Sequence, residues 1–370
     1  MMKYNLRPDE TATLELRGLY EKYGYKKYKI SKFEEYSLYV ENRDFFTGDK
    51  VLSFTDLDGR LLAMKPDVTL SIINNTRAEK GKSEKIYYIE NVYRESKENH
   101  SFKEINQMGL EYMGDVTKYS ILEVMVLAAE SLKTINEDYL LEISNMNYTM
   151  NFLRALQLSE SVYLELLNNI RRKNITGISE AAEKAGLKNE VTDMLCRLPF
   201  LYGNPEEAVK RALEMALDTT MEEDVRELEE YCRALRGMGL SENIQLDLSM
   251  VNDIAYYNGI IFRGYIRDLP GCVLAGGQYD KAMKLFGKEA GAIGFAIYLD
   301  ELTKGKQQMP RYDVDAVLIY GEADMTETAK ALKALQSRGL SVRAERKEPE
   351  GIRYREKYVL REGQPVKEEI

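Results

Sequence analysis

The chain has 370 residues, with 52 basic and 61 acidic side chains and a formal charge of −9. This length accommodates two domains, or one large domain with an insertion, around a substantial core. The 44% hydrophobic and 31% charged fractions exclude a disordered chain, and the acidic balance argues against nonspecific nucleic-acid binding.

Cys196, Cys232 and Cys272 lie far apart with no CxxC spacing, so they read as reduced thiols serving as small core residues. His100 is the only histidine and reads as a solvated loop residue; multi-histidine metal sites and serine–histidine triads built on several histidines are thereby excluded. The start, MMKYNLRPDE, has no apolar leader region, and no run reaches membrane-spanning length. The expectation is a cytoplasmic protein with no cofactor and no membrane partner.

Pro8-Asp9 opens an amphipathic helix over residues 9–23, with Leu14, Leu16, Leu19 and Tyr20 among charges and Gly24 at its end. Residues 25–33 alternate lysines with Tyr28, Ile30 and Phe33, a half-buried strand pattern. Two short strands, 52–55 and 60–64, flank a turn at Asp56-Leu57-Asp58-Gly59. Pro66 presets the entry to a helix, where Asp67 and Thr69 lie within reach of exposed backbone amides; local capping alone also produces that pattern.

Residues 85–115 read as an antiparallel hairpin. An apolar run at 86–89 leads to Tyr93-Arg94-Glu95, a polar stretch follows around 97–100, and the second strand carries Gln107 and Glu111. Arg94 and the acceptors on the second strand would share the floor of a site for a small, charged ligand, although polar residues facing water give the same spacing.

An apolar helix is predicted over 118–133 and a strand over 139–143, with a turn at 145–147. From about 150 to 235 the chain is almost purely helical, with breaks at Thr176-Gly177, Gly186 and 202–205, which marks a helical insertion. Sheet character returns at 244–250, 256–262 and 273–275. Gly276-Gly277 then suits either close backbone approach to a ligand or a tight turn. Residues 292–302 read as a buried helix and 303–311 as a linker. The last sixty residues offer a strand at 316–320, a helix at 326–337, a stop at Gly339, and strands at 341–344 and 358–360, a small α/β unit.

The order of these motifs resembles the class II histidyl-tRNA synthetase family over nearly the whole chain. Residues 24–34 look like its motif 1, and residues 64–69 (MKPDVT) look like its amino-acid loop. Tyr93-Arg94-Glu95 through Glu111 looks like motif 2. Tyr256-Tyr257 and residues 276–280 (GGQYD) look like its two histidine-specific signatures, and 294–302 looks like motif 3. The resemblance implies an α+β fold: an antiparallel sheet flanked by helices in residues 1–310, a helical insertion at about 155–238, and a short terminal α/β unit in 311–370. It also implies a homodimer built partly through motif 1.

Within that resemblance Asp67, Thr69 and Gln107 would hold a ligand's α-ammonium, and Glu111 and Tyr257 would reach an imidazole. Tyr279 would line the pocket together with Tyr256, and Arg94 would face an anion or nucleotide phosphate. Several positions depart from the synthetases. Asn252 stands where they carry an arginine that contacts the reacting carboxylate and phosphate, and Glu301 where an arginine clamps the triphosphate. Ser31 replaces a proline and Lys65 an arginine. Phosphoryl chemistry stabilises developing negative charge with cations, so these changes argue against adenylation. The terminal unit is also much shorter than an anticodon-binding domain.

A synthetase-like chain with histidine contacts but without these arginines resembles the HisZ family, regulatory subunits of ATP phosphoribosyltransferase. That resemblance implies no catalysis of its own and a short-form catalytic partner, HisG, in a hetero-octamer. It further implies histidine as the feedback effector and no nucleic-acid partner. The alternatives are an active histidyl-tRNA synthetase and a standalone histidine-binding sensor.

Overall fold

The computed structural model describes residues 6–42, 50–76, 81–96, 100–251, 256–304 and 312–369. Two compact units form, one over Pro8–Gly305 and one built on Lys306–Ile370.

The larger unit is organised on a nine-stranded mixed sheet. Its strands run in the order Lys26–Lys27, Glu84–Glu95, Phe102–Gly114, Gly291–Tyr298, Cys272–Gln278, Ile260–Ile266, Tyr139–Asn145, Ile244–Asp247 and Tyr202–Gly203. The central pairings are antiparallel; parallel pairs occur towards the edges, at Lys26–Lys27 with Glu84–Glu95 and at Tyr139–Asn145 with Ile244–Asp247. The expected hairpin is present as Glu84–Glu95 and Phe102–Gly114, in unbroken register from Glu84↔Met113 to Glu95↔Phe102.

Alternation along a strand sends successive side chains to opposite faces. Met108 and Leu110 therefore join the helix-covered face, and Gln107, Gly109 and Glu111 the other. The helix Lys118–Ile135 covers the first face, burying Ile121, Val124, Met125 and Leu132 in one cluster with Phe262 and Phe295. Thr117 and Ser120 close its first turn as a reciprocal capping box. Gly264 lets this helix approach closely, because a Cβ there would stand 2.6 Å from the Leu132 side chain. The helix Pro8–Lys22 adds Leu16 and Tyr20, whose hydroxyl lies 3.0 Å from Ser131 Oγ.

Helices also fill the insertion: Met146–Ala155, Glu160–Arg171, Ile175–Lys184, Asn189–Arg197, Pro205–Glu214 and Thr219–Gly237. Asn145 ends a strand and caps the first of these, so the turn expected at 145–147 is a strand-to-helix junction. The break expected at Thr176-Gly177 falls earlier, at Lys173 (φ 52°) and the capping Asn174, whose side chain accepts from Gly177 N.

Three further readings are corrected. The strand expected over 25–33 is only Lys26–Lys27; Phe33–Glu35 joins a separate three-stranded sheet with Leu61–Met64 and Ser53–Thr55. The main chain leaves the large sheet because side chains take over its hydrogen bonds. Ile30 N donates to Glu90 Oε1 (3.2 Å), and Ser31 O accepts from Lys65 Nζ (3.2 Å).

The helix expected over 292–302 is instead the strand Gly291–Tyr298 followed by the short helix Leu299–Leu302. This strand is central and largely buried, which makes its apolar run continuous and indistinguishable by pattern from a buried helix. Gly276 and Gly277 lie inside the strand Cys272–Gln278, where neighbouring backbone crowds them: a Cβ on Gly277 would meet Ile260 O at 2.7 Å. The linker reading at 303–311 falls mostly outside the described residues.

The smaller unit has the strand order Val342–Glu345, Val314–Ile319, Tyr354–Arg361 and Gln364–Glu368, packed with the helix Met325–Ser337. Ala331 and Leu335 of the helix pack with Ala316, Leu318, Tyr358 and Leu360. The last strand went unread in the sequence. It turns back through Glu362-Gly363, both at positive φ (48° and 73°). Among the described residues no helix is long and apolar enough to cross a membrane, and no group of His, Cys, Asp and Glu side chains could hold a metal ion.

Candidate functional site

The face of the large sheet opposite the helix Lys118–Ile135 carries a cavity of about 490 Å³. Small residues make its floor. Ala275 pairs with Ala296, Ala296 with Gly109, and Gly294 with Glu111, so a run of minimal side chains leaves space above the strands. Every candidate named from the sequence lines this cavity: Asp67, Thr69, Arg94, Gln107, Glu111, Tyr256, Tyr257 and Tyr279.

Glu111 is the buried charge at its centre, 2% exposed. Its Oε1 accepts from Thr69 Oγ1 at 3.0 Å and its Oε2 from Tyr279 OH at 2.6 Å. Burial dominates the two hydrogen bonds and, with a small contribution from Asp67, raises its pKa from 4.5 to about 8. Glu111 therefore holds its proton to a higher pH than an exposed carboxyl does. Gly294 makes room for it, since a Cβ at that position would overlap Glu111 Oε2 and Leu110 O.

Three tyrosines wall this end. The Tyr256 and Tyr257 ring centroids are 4.5 Å apart at 64°, and those of Tyr256 and Tyr279 are 5.7 Å apart at 35°. Burial raises all three hydroxyls above their ordinary pKa, so they stay neutral donors. Gln107, 3% exposed, supplies a further amide.

Asp67 serves two purposes. Oδ1 caps the helix Val68–Asn75 by accepting from Leu70 N (2.9 Å), and Oδ2 takes Arg94 Nη2 (3.2 Å). Arg94 Nε donates to Pro66 O at 2.7 Å, which fastens the end of the hairpin strand to the entry of this helix. Local capping and a place in the cavity are thus both true of Asp67.

The family model described as histidyl-tRNA synthetase matches residues 5–302. An ATP phosphoribosyltransferase regulatory subunit from Caldanaerobacter subterraneus is 32% identical over 303 residues, covering 80% of this chain and 78% of that one. The chain belongs to the family of ATP phosphoribosyltransferase regulatory subunits. Two solved structures share the fold of this regulatory-subunit chain. One is an ATP phosphoribosyltransferase regulatory subunit/histidyl-tRNA synthetase from Bacillus halodurans, with TM-score 0.76, 22% identity and coverage of 93% of this chain and 91% of that one. The other comes from an ATP phosphoribosyl transferase (HisG:HisZ) complex from Thermotoga maritima, with TM-score 0.64, 20% identity, 80% of this chain and 98% of that one.

Against the synthetase pattern, Asn252 lies outside the described residues. Glu301 sits on the helix Leu299–Leu302, where it pairs with Lys304 Nζ (2.5 Å) rather than lining the cavity. Lys65 is 1% exposed and bonded to Glu90 Oε2 (2.6 Å), a support under the amino-acid loop. His100 is exposed in its loop, with Nδ1 3.2 Å from Glu95 Oε1.

Sequence reading of this regulatory-subunit chain missed several lining residues, among them Tyr88, Arg171, Arg263 and Tyr298. Arg263 had a local signal, a cation inside the apolar strand Ile260–Ile266. Arg171 had none, because the last residue of an insertion helix reaches the sheet only through tertiary packing. Cys272 also lines the cavity, its Sγ 3.0 Å from Leu274 O, with burial raising its pKa.

Proposed function

We propose that this chain is a non-catalytic regulatory subunit of ATP phosphoribosyltransferase, acting with the short-form catalytic subunit HisG in the first step of histidine biosynthesis. Histidine bound in the cavity transmits feedback inhibition. The observation that carries this reading is Glu111, a buried acceptor held by Thr69 and Tyr279 beneath a tyrosine wall. A ligand ring N–H directed at that carboxylate replaces its lost hydration and stabilises the ionised form. Glu111 must therefore give up its proton as the ring binds. Asp67, Thr69 and Gln107 provide acceptors for the α-ammonium, and the aromatic walls exclude water.

Control of the partner requires histidine to favour one quaternary arrangement over another. The assembly in this reading is a homodimer of the chain within a hetero-octamer. The HisG:HisZ complex from Thermotoga maritima supports the choice of partner. Adenylation is not part of this role, in keeping with Glu301 turned to Lys304.

The test is reconstitution. HisG activity should depend on this chain and fall when histidine is added, while Glu111→Ala should keep the complex and lose the inhibition. Absence of a complex, or unchanged inhibition in the variant, rejects the assignment. Histidine-dependent pyrophosphate exchange by the purified chain would instead make it a synthetase.

A further inference from the structure

We propose that the buried Lys65–Glu90 ion pair is a positioning latch, through which an occupied cavity holds the three-stranded sheet against the large one. The occupant is the amino acid of the reading above; the latch itself does not depend on that reading.

The three-stranded sheet has little apolar anchorage of its own. Of the residues in Phe33–Glu35, Ser53–Thr55 and Leu61–Met64, only Ala63 is buried. Phe33 and Phe54 lie 45% and 37% exposed, their ring centroids 5.0 Å apart. Elements with few buried contacts open locally at small cost, so polar ties set how firmly this sheet is held.

Lys65 supplies the central tie. It directly follows the strand Leu61–Met64, is 1% exposed, and bonds Glu90 Oε2 of the hairpin at 2.6 Å. The same two side chains hold the crossing main chain: Lys65 Nζ donates to Ser31 O (3.2 Å), and Glu90 Oε1 accepts from Ile30 N (3.2 Å). They bracket the point where the chain leaves the large sheet and enters the small one. Ser71 Oγ, donating to Glu34 Oε1 at 2.5 Å, adds a tie to the helix Val68–Asn75. Lys50 also pairs with Glu95, but that lysine is 61% exposed, and exposed pairs contribute little. Breaking a buried pair costs more, because the surviving charge stays desolvated.

The latch shares its loop with the cavity. Tyr93 N donates to Lys65 O at 3.0 Å and Arg94 Nε to Pro66 O at 2.7 Å, so the hairpin grips the loop. Asp67 and Thr69 follow at once and line the cavity. A ligand held by those two residues orders the loop at one end while Lys65 fastens the sheet at the other. Ligand binding and latch closure therefore favour each other.

Hydrogen exchange read by mass spectrometry on the full chain, with and without saturating L-histidine, tests the latch. The double variant Lys65→Met/Glu90→Gln removes both charges together, which avoids an unpaired buried ion and leaves Ile30 N an acceptor. Without ligand, amides of the three-stranded sheet should exchange about tenfold faster in the variant, while those of Phe102–Gly114 and Gly291–Tyr298 stay within about twofold. Histidine should slow the small-sheet amides about threefold or more in the parent and leave them unchanged in the variant. Glu90→Gln alone is the second variant; it keeps the hydrogen bonds without the charge pairing, and the same changes are expected. Parental exchange in both variants overturns the latch, as does equal acceleration across the large sheet, which marks general destabilisation. Histidine that binds the parent without slowing the small sheet, or slows it equally in the variants, overturns the coupling. A parent chain that binds no histidine by calorimetry rejects the reading of the amino-acid end, and the ligand-free comparison then decides the latch by itself.

Discussion

Replacing Glu111 with Gln separates two consequences of burying a carboxyl under tyrosines. In the unfolded chain this group ionises near 4.5, whereas in the native cavity burial raises its midpoint to about 8. Between those values the native state holds a proton that the unfolded state has lost. Stability from this group is therefore complete below pH 4.5 and declines as the pH rises to about 8. At about 1.4 kcal/mol per pH unit, the interval from 4.5 to 8 amounts to roughly 5 kcal/mol. Glutamine keeps the shape but has no charge to desolvate.

Urea denaturation should find the variant within about 1 kcal/mol of the parent at pH 5 and several kcal/mol more stable at pH 8.5, with histidine binding abolished at both. A stability difference that does not change between pH 5 and 8.5 would refute the buried, proton-holding carboxyl. Parental histidine affinity in the variant would refute its role as the ligand's acceptor.

Tyr279→Phe removes the 2.6 Å hydrogen bond to Glu111 and should raise that carboxyl's pKa further, weakening histidine about tenfold by calorimetry at pH 7. Gly294→Ala places a methyl against Glu111 and Leu110, so it should lower stability by about 1–3 kcal/mol and remove histidine binding, read by denaturation and titration. Asp67→Ala takes away the cap on Leu70 N and the partner of Arg94; it should cost about 1 kcal/mol or more in denaturation and reduce histidine affinity. Parental histidine affinity above pH 8 that falls as the pH is lowered towards 6.5 is the signature expected if binding expels the Glu111 proton. A flat profile would mean that the proton passes to the ring instead.

The sequence by itself determined the hairpin that carries Arg94, Gln107 and Glu111, because period-two alternation and a polar loop are local properties of the strands. It also determined the cap at Asp67 and the helical character of the insertion, which depend on neighbours within a turn or two. The order of the motifs was enough to name all eight candidates that line the cavity.

Other features were decided only by the tertiary structure. Gly291–Tyr298 is a strand because partners on both sides supply its hydrogen bonds, and its continuous apolar run is equally compatible with a helix until those partners are in place. Gly276 and Gly277 yield to adjacent strands. Glu111 acquires its raised pKa only when the fold buries it, a desolvation that outweighs the lowering effect of its hydrogen bonds from Tyr279 and Thr69. Arg171 comes to line the cavity from the insertion, far in sequence from the hairpin, which no local pattern foretells. Spacing along the chain sets which face a side chain takes, but desolvation and convergence depend on which elements come to lie against that face.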